Sequence, residues 1–351
     1  MERELISLCE TASLARKKKS PNGPHARVLW AGPLLGLLVL AGASQPARAL
    51  VIDPTFSSAI TSSADSTTIE SAITQAITFY DQTFTNPITV NIDFTTSNSA
   101  NFIGQSQSVV GTTSYASYTA ALLANATANQ NAVELGGYDH LATGNQAPQI
   151  MATSADLRAL GLSVPDGAFG GTITLSSYYL DGFGGSGSYA PNPAIQHEID
   201  EVLGIGGAGS TLNYLVNSGG SAANAVGAPI INGEPTIGPL DLFRYAASGT
   251  PSYNSAGSAT SYFSLDGGHT NIEPFNQNSS GDYGDWGTTV TPEVQDAFGS
   301  GANVALTLAS PEVLALQAIG YDTVPEPASA VLFGSALTGL FYTRRRVFRR
   351  G

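Results

Sequence analysis

The chain has 351 residues and a formal net charge of −13, and that charge is unevenly placed. Seven of its lysines and arginines lie within residues 1–49 and five after residue 343, so residues 50–324 hold 23 carboxylates against Arg158 and Arg244 alone, a net of −21. A body so poor in cations excludes recognition of phosphate backbones, and nucleic acid with it, while a divalent cation suits it.

The first 49 residues carry a basic stretch at Arg16-Lys17-Lys18-Lys19, an apolar run from Val28 to Ala43, and Ala47-Arg48-Ala49. This order of charge, apolar core and small-x-small site predicts a secretory signal peptide over residues 1–49, cut after Ala49. The apolar run is shorter than the ~20 residues that span a bilayer. The only cysteine, Cys9, falls in this leader, so the predicted mature body, residues 50–323, has no disulfide and depends on its core or on bound metal. Roughly 275 residues are enough to bury such a core.

From Asp65 onward, Ile69, Ala72, Ile73, Ala76, Ile77 and Tyr80 recur at helical spacing behind an Asp65 or Ser66 N-cap. Ile88, Val90, Ile92 and Phe94 then alternate as a half-buried strand. Further helices are expected over Tyr115–Ala128 and after Ser154, with a strand at Gly171–Leu175. With 39 glycines marking turns and no fixed-period repeat, the body reads as mixed α+β.

The stretch PNPAIQHEIDEVLGIGG, residues 191–207, predicts a helix with Asn192 as cap, Pro193 at its first position and Gly204 just past its end. Ile195, Ile199 and Val202 form its core stripe, while His197 and Glu201, one turn apart, share a neighbouring face within reach of one ion. Glu198 beside them is placed to take a proton from the attacking water, as in H-E-x-x-H helices. A carboxylate at position 201 ligates zinc too, and shifts preference toward manganese or calcium. An acidic, solvated helix face would produce the same string.

HEIDEVLGIGG resembles the metzincin pattern H-E-x-x-H-x-x-G-x-x-H at His197, Glu198 and Gly204, departing from it at Glu201 and Gly207. Asp241-Leu242-Phe243-Arg244-Tyr245 is similar to the turn that underlies metzincin metal sites, with Phe243 where that turn has methionine, and EVLALQAIGYD (312–322) is similar to the last helix of matrixin and serralysin domains. Together with YFSLDGGHTNIEPFNQ and GDYGDWG, these segments resemble a metzincin-like metalloprotease group of PEP-CTERM-bearing bacterial proteins, over most of residues 60–322. The resemblance implies an α+β metalloprotease domain, a mixed sheet with a central active-site helix.

With Gly207 unable to ligate, a third ligand must come from elsewhere. His269 is the candidate by chemistry, Asp241 and Tyr245 are alternatives, and solvent satisfies a loop histidine equally well. His140 reads as a loop residue. The Gly-rich acidic segments Asp181–Gly185 and Asp282–Gly287 offer oxygens for structural calcium, although turn chemistry alone accounts for them. No G-x-S-x-G elbow and no lysine-bearing phosphate loop occurs in the body.

The tail, residues 324–351, joins Val324-Pro325-Glu326-Pro327-Ala328-Ser329 to an apolar run and then to Arg344-Arg345-Arg346. It resembles the PEP-CTERM sorting signal, which implies export, transient membrane retention through a C-terminal helix and processing by an exosortase-type enzyme. The arginines would mark a cytoplasmic flank.

Two functions are thus expected of an exported envelope or extracellular protein. The first is a zinc- or other divalent-metal-dependent peptidase acting on protein or peptide substrates, with His197, Glu201 and His269 as ligands, Glu198 as general base and Tyr245 stabilising the oxyanion. The second is a catalytically inactive structural protein of the envelope or matrix that keeps the same fold. N-terminal sequencing of protein recovered from the envelope should start near Leu50; retention of residues 1–49 would overturn the cleavage site.

Overall fold

Ile52, alternating with exposed neighbours, starts the folded body in β1 (Val51–Phe56), which leads into α1 (Ser58–Thr61) and the long α2 (Ser66–Thr83). Next come β2 (Thr89–Ser97), β3 (Gly104–Ser108), β4 (Val110–Ser114), α3 (Tyr115–Asn129), α4 (Ala132–Tyr138), β5 (Gln149–Thr153), α5 (Ser154–Ala159) and β6 (Gly171–Ser176). The second half holds α6 (Pro191–Leu203), α7 (Leu212–Asn217), β7 (Ile230–Ile231), β8 (Glu234–Ile237), β9 (Arg244–Ala247), β10 (Thr250–Pro251), β11 (Tyr262–Phe263), β12 (Glu273–Pro274) and α8 (Pro311–Ala318). The computed structural model describes residues 49–129, 131–142, 148–164, 170–217, 227–287, 291–299 and 301–324. The predicted leader up to Arg48 and the sorting helix after Val324 lie outside them.

The fold is mixed α+β. Its first sheet has the order β1-β2-β6-β3, with β1, β2 and β6 parallel and β3 closing one edge antiparallel to β6. Val90, Ile92 and Phe94 of β2 are fully buried, as their alternation requires. On α2, Ile69, Ile73, Ala76, Ile77 and Tyr80 turn inward. α6 packs against both α2 and β3.

A second sheet runs β4-β5-β8-β7 and a third, wholly antiparallel, runs β10-β9-β11-β12. One core cluster links Leu50 and Ile52 through Ile195, Ile199 and Val202 of α6 to Val313 and Leu316 of α8. The described residues all fall in one compact unit, Pro46–Gly351. No helix among them is long and apolar enough to cross a membrane.

α6 begins two residues earlier than its sequence suggests. Pro191, not Pro193, opens it: both rings fix a helical φ, and Ala190 is the N-cap residue. Asn192 lies inside the first turn and donates to Gln196 Oε1 (3.1 Å). Gly204 ends the helix as expected, at φ 121°, with its N–H on the Asp200 carbonyl.

Tyr80 ties α2 to α6. Its buried hydroxyl donates to Asp200 Oδ1 and to the Gln196 carbonyl, both at 2.9 Å. Tyr80→Phe leaves Asp200 and that carbonyl without this donor in the core, which should cost about 1–3 kcal/mol and lower the melting temperature by roughly 2–12 °C. Calorimetry checks this, and an unchanged melting temperature would show the link to be dispensable.

Candidate metal centre

His197, Glu198 and Glu201 project from α6 toward β3 and toward the loop segments 282–287 and 293–297. Together these line a cleft of about 670 Å³. His197 is 19% exposed, while Glu198 and Glu201 are buried. The His197 ring is oriented by its Nδ1–H, which donates to the Val294 carbonyl (3.0 Å) and turns Nε2 toward the cleft. Glu201 is held from two sides: Ser106 of β3 donates to Oε2 at 2.5 Å and the Gly207 N–H donates to Oε1 at 3.0 Å.

The residue that joins them is Asp285. His197, Glu201 and Asp285 each offer one ligand atom, all within 4.8 Å of one another, and His197 Nε2 stands 3.8 Å from Asp285 Oδ2. Tetrahedral zinc would hold its donors roughly 3.3–3.6 Å apart, so this histidine–carboxylate gap is slightly wide for zinc. Glu198 completes the arrangement. Its carboxyl lies within hydrogen-bonding reach of Glu201, and its Oε2 is buried without a partner.

The electrostatics agree with the donor chemistry. Glu198 and Asp285 are held well above the usual carboxylate range, first by burial and then by Glu201, Asp282 and each other's neighbourhood of acids. Burial also raises Glu201 and Asp282, with His197 pulling both the other way, and lifts Asp296 to about 6. Arg158 and Arg244 are engaged elsewhere: Arg158 with the Ser154 and Thr89 carbonyls, Arg244 with Asp241, Ser261 and the Tyr283 carbonyl. Among the described residues, then, no lysine or arginine neutralises the cleft. One imidazole nitrogen, a set of carboxylate oxygens and an orphaned Glu198 oxygen fit a divalent cation.

The other residues singled out in the sequence lie apart from this group. His269 is exposed in the turn after β11, its ring against Ser248 Oγ at 3.2 Å. Tyr245 sits in a small separate cluster with Ala142 and Tyr262, and its hydroxyl donates to the His140 carbonyl; burial pushes it up to about 12. Asp241 is consumed by Ser210, Thr211, Gly238 and Arg244. His140 is exposed in the turn after α4, and Asp181 is exposed in its loop, away from the other acids of the cleft.

Asp285 was visible in the sequence only as part of an acidic Gly-rich loop read as turn or calcium chemistry. No spacing connects position 285 to position 197. The connection is tertiary: the Trp286 N–H donates to the Gln295 carbonyl (2.9 Å), and Glu312 Oε1 accepts from both Trp286 Nε1 (3.2 Å) and the Gln295 N–H (2.9 Å). One carboxylate at the start of α8 thereby fixes the two loop segments that carry Asp285 and the Val294 carbonyl.

No protein-family model, curated protein or solved structure matches the chain.

A carboxylate whose folded pKa lies above its unfolded value of ~4 adds stability that is complete below that value and is lost as pH rises through the folded one. For Asp296 this loss falls between about pH 4 and its folded value of about 6, and Glu198 and Asp285, raised first by burial, add to it in the same direction. The metal-free chain should therefore melt lower at pH 7.5 than at pH 5. Added Mn²⁺ or Zn²⁺ should raise the melting temperature more at pH 7.5, where protons no longer compete for the oxygens. Calorimetry with chelator or metal at the two pH values tests this, and an equal metal effect at both would contradict it.

Proposed function

We propose that this protein is an exported, metal-dependent peptidase of metzincin-like architecture. The observation that carries the reading is the convergence of His197, Glu201 and Asp285 beside a buried Glu198 that lies outside the three and retains an unpartnered oxygen. A divalent cation held there would supply Lewis acidity, polarising a scissile carbonyl and acidifying water. Glu198 then acts as general base: its raised basicity suits it to accept a proton from water in the cleft and to return that proton to the leaving amine. His197 and Glu201, locked by Val294, Ser106 and Gly207, would hold the cation beside it together with Asp285.

Peptide as the substrate class is supported by β3. This strand ends its sheet, and residues 103–106 line the cleft beside Glu198 and Glu201. An edge strand offers backbone donors and acceptors to an extended chain laid alongside it. Gly104 keeps the approach close, since a Cβ there would stand 2.4 Å from Glu198 Oε1. On this reading the leader exports the domain, and the tail retains it at the membrane until an exosortase-type enzyme acts; zinc or manganese fills the centre.

Metal analysis and cleavage of a casein-type substrate test the proposal in the wild type, His197→Ala and Glu198→Gln. His197→Ala should lose roughly 100-fold or more in metal affinity. Glu198→Gln should keep its metal while cleavage falls by about 10²-fold or more. Equal metal content in wild type and His197→Ala would dispose of the ligand assignment. Metal bound through His197 without cleavage of any protein tested would leave the non-enzymatic envelope protein in its place.

A further inference from the structure

Gln295 is wholly buried, and its side-chain amide spans two of the three ligand residues. Nε2 donates to Asp285 Oδ1 at 3.0 Å and to His197 Nε2 at 3.2 Å. The same amide's Oε1 is buried with no hydrogen-bond partner. A buried orphan acceptor is costly, and here it sits at the far end of a group whose near end bridges the candidate ligands.

We propose that Gln295 is a fourth ligand of this centre, its carboxamide rotating on cation binding so that Oε1 replaces Nε2 between His197 and Asp285. This inference rests on the metal centre proposed above. The main chain at Gln295 is fixed, its N–H on Glu312 Oε1 and its carbonyl on the Trp286 N–H, so a response falls to the side chain, where turning the terminal torsion exchanges the two ends of the amide in place. That torsion is broad and roughly two-fold in glutamine, and the amide's oxygen and nitrogen ends are nearly the same size. Without a cation, an N–H end satisfies His197 Nε2 and the Asp285 carboxylate. With a cation between them, the N–H end is repelled and the carbonyl dipole attracted; the two hydrogen bonds that are lost give way to metal–ligand bonds on the same atoms.

The consequence is selectivity. One imidazole nitrogen with oxygens from Glu201, Asp285 and Gln295 is an oxygen-rich donor set, which favours six-coordinate Mn²⁺ relative to tetrahedral Zn²⁺ and leaves positions open for water and substrate. Four protein ligands around tetrahedral zinc would close the site.

The test is calorimetric titration of the metal-free full chain with Mn²⁺ and, separately, Zn²⁺. It compares wild type, Gln295→Met, which removes both polar ends at similar length, Gln295→Glu, which keeps an oxygen and offers no N–H, and His197→Ala. Gln295→Met should bind Mn²⁺ about 10-fold or more weakly and lose less toward Zn²⁺, while Gln295→Glu should bind Mn²⁺ at least as tightly as wild type. Should Gln295→Met fail to fold by circular dichroism, the Mn²⁺-to-Zn²⁺ preference of Gln295→Glu against wild type still decides, a ratio above wild type supporting the ligand and an unchanged ratio overturning it. Wild-type Mn²⁺ affinity in Gln295→Met alongside its loss in His197→Ala would overturn Gln295 as a ligand and keep the centre. Absence of Mn²⁺ and Zn²⁺ binding in the wild type would overturn the centre itself, and this inference with it.

Discussion

Helix α6 is enclosed on nearly every side while carrying Gln196, Glu198, Asp200 and Glu201 as buried polar residues, and a buried polar group that is left alone is expensive. Much of the surrounding structure is arranged to supply their partners. Tyr80 crosses from α2 to serve Asp200 and the Gln196 carbonyl. β3 gives Ser106 to the Glu201 carboxylate and Ser108 to its carbonyl (3.2 Å), and the turn after the helix adds the Gly207 N–H. Glu198 Oε2 and Asp200 Oδ2 remain without a partner, and of these two residues Glu198 is the one that lines the cleft.

The same demand explains why two distant loop segments close over the helix. Glu312, fully buried at the start of α8, is raised to about 7 by burial, with the Gln295 N–H and the Trp286 indole drawing it back down. Through those two donors it sets the segments carrying Asp285 and Val294 at a fixed separation, and Val294 in turn selects the tautomer of His197. A carboxylate that touches none of His197, Glu201 and Asp285 thus governs the orientation of two of them. Such positioning is the work of an outer shell, and its loss ordinarily shows in affinity before it shows in stability.

What could be read in the sequence was what local periodicity encodes. α2, β2 and the core stripe of α6 followed from apolar spacing, and Gly204 followed from the left-handed residue that a helix end favours. The start of α6 lies two residues before the one its sequence suggests because two prolines suit the first position and local pattern does not choose between them. At the site, His197 and Glu201 were legible because one helical turn relates them. Asp285 and Gln295 were not, because they arrive through Glu312 and a loop pairing that leave no period in the chain. His269 shows the converse: right in chemistry for a ligand, it faces Ser248 at the surface, and one sequence carries no distance.

Gly207 gives that lesson its sharpest form. Read against the H-E-x-x-H-x-x-G-x-x-H pattern, it looks like a lost ligand. In the fold its backbone N–H stabilises the Glu201 carboxylate, and a Cβ at that position would stand 2.6 Å from Glu201 Oε1 and 2.8 Å from Asp282 Oδ2. Any side chain there would displace the carboxylates that line the cleft, so a histidine at 207 could not simply restore a three-histidine centre. Glycine at 207, glutamate at 201 and aspartate at 285 are mutually consistent: the first makes room for the second and holds it, and the third supplies the donor that position 207 does not. The candidate donor set therefore differs from a three-histidine one in kind, with more oxygen and more negative charge, and would suit a cation that tolerates both.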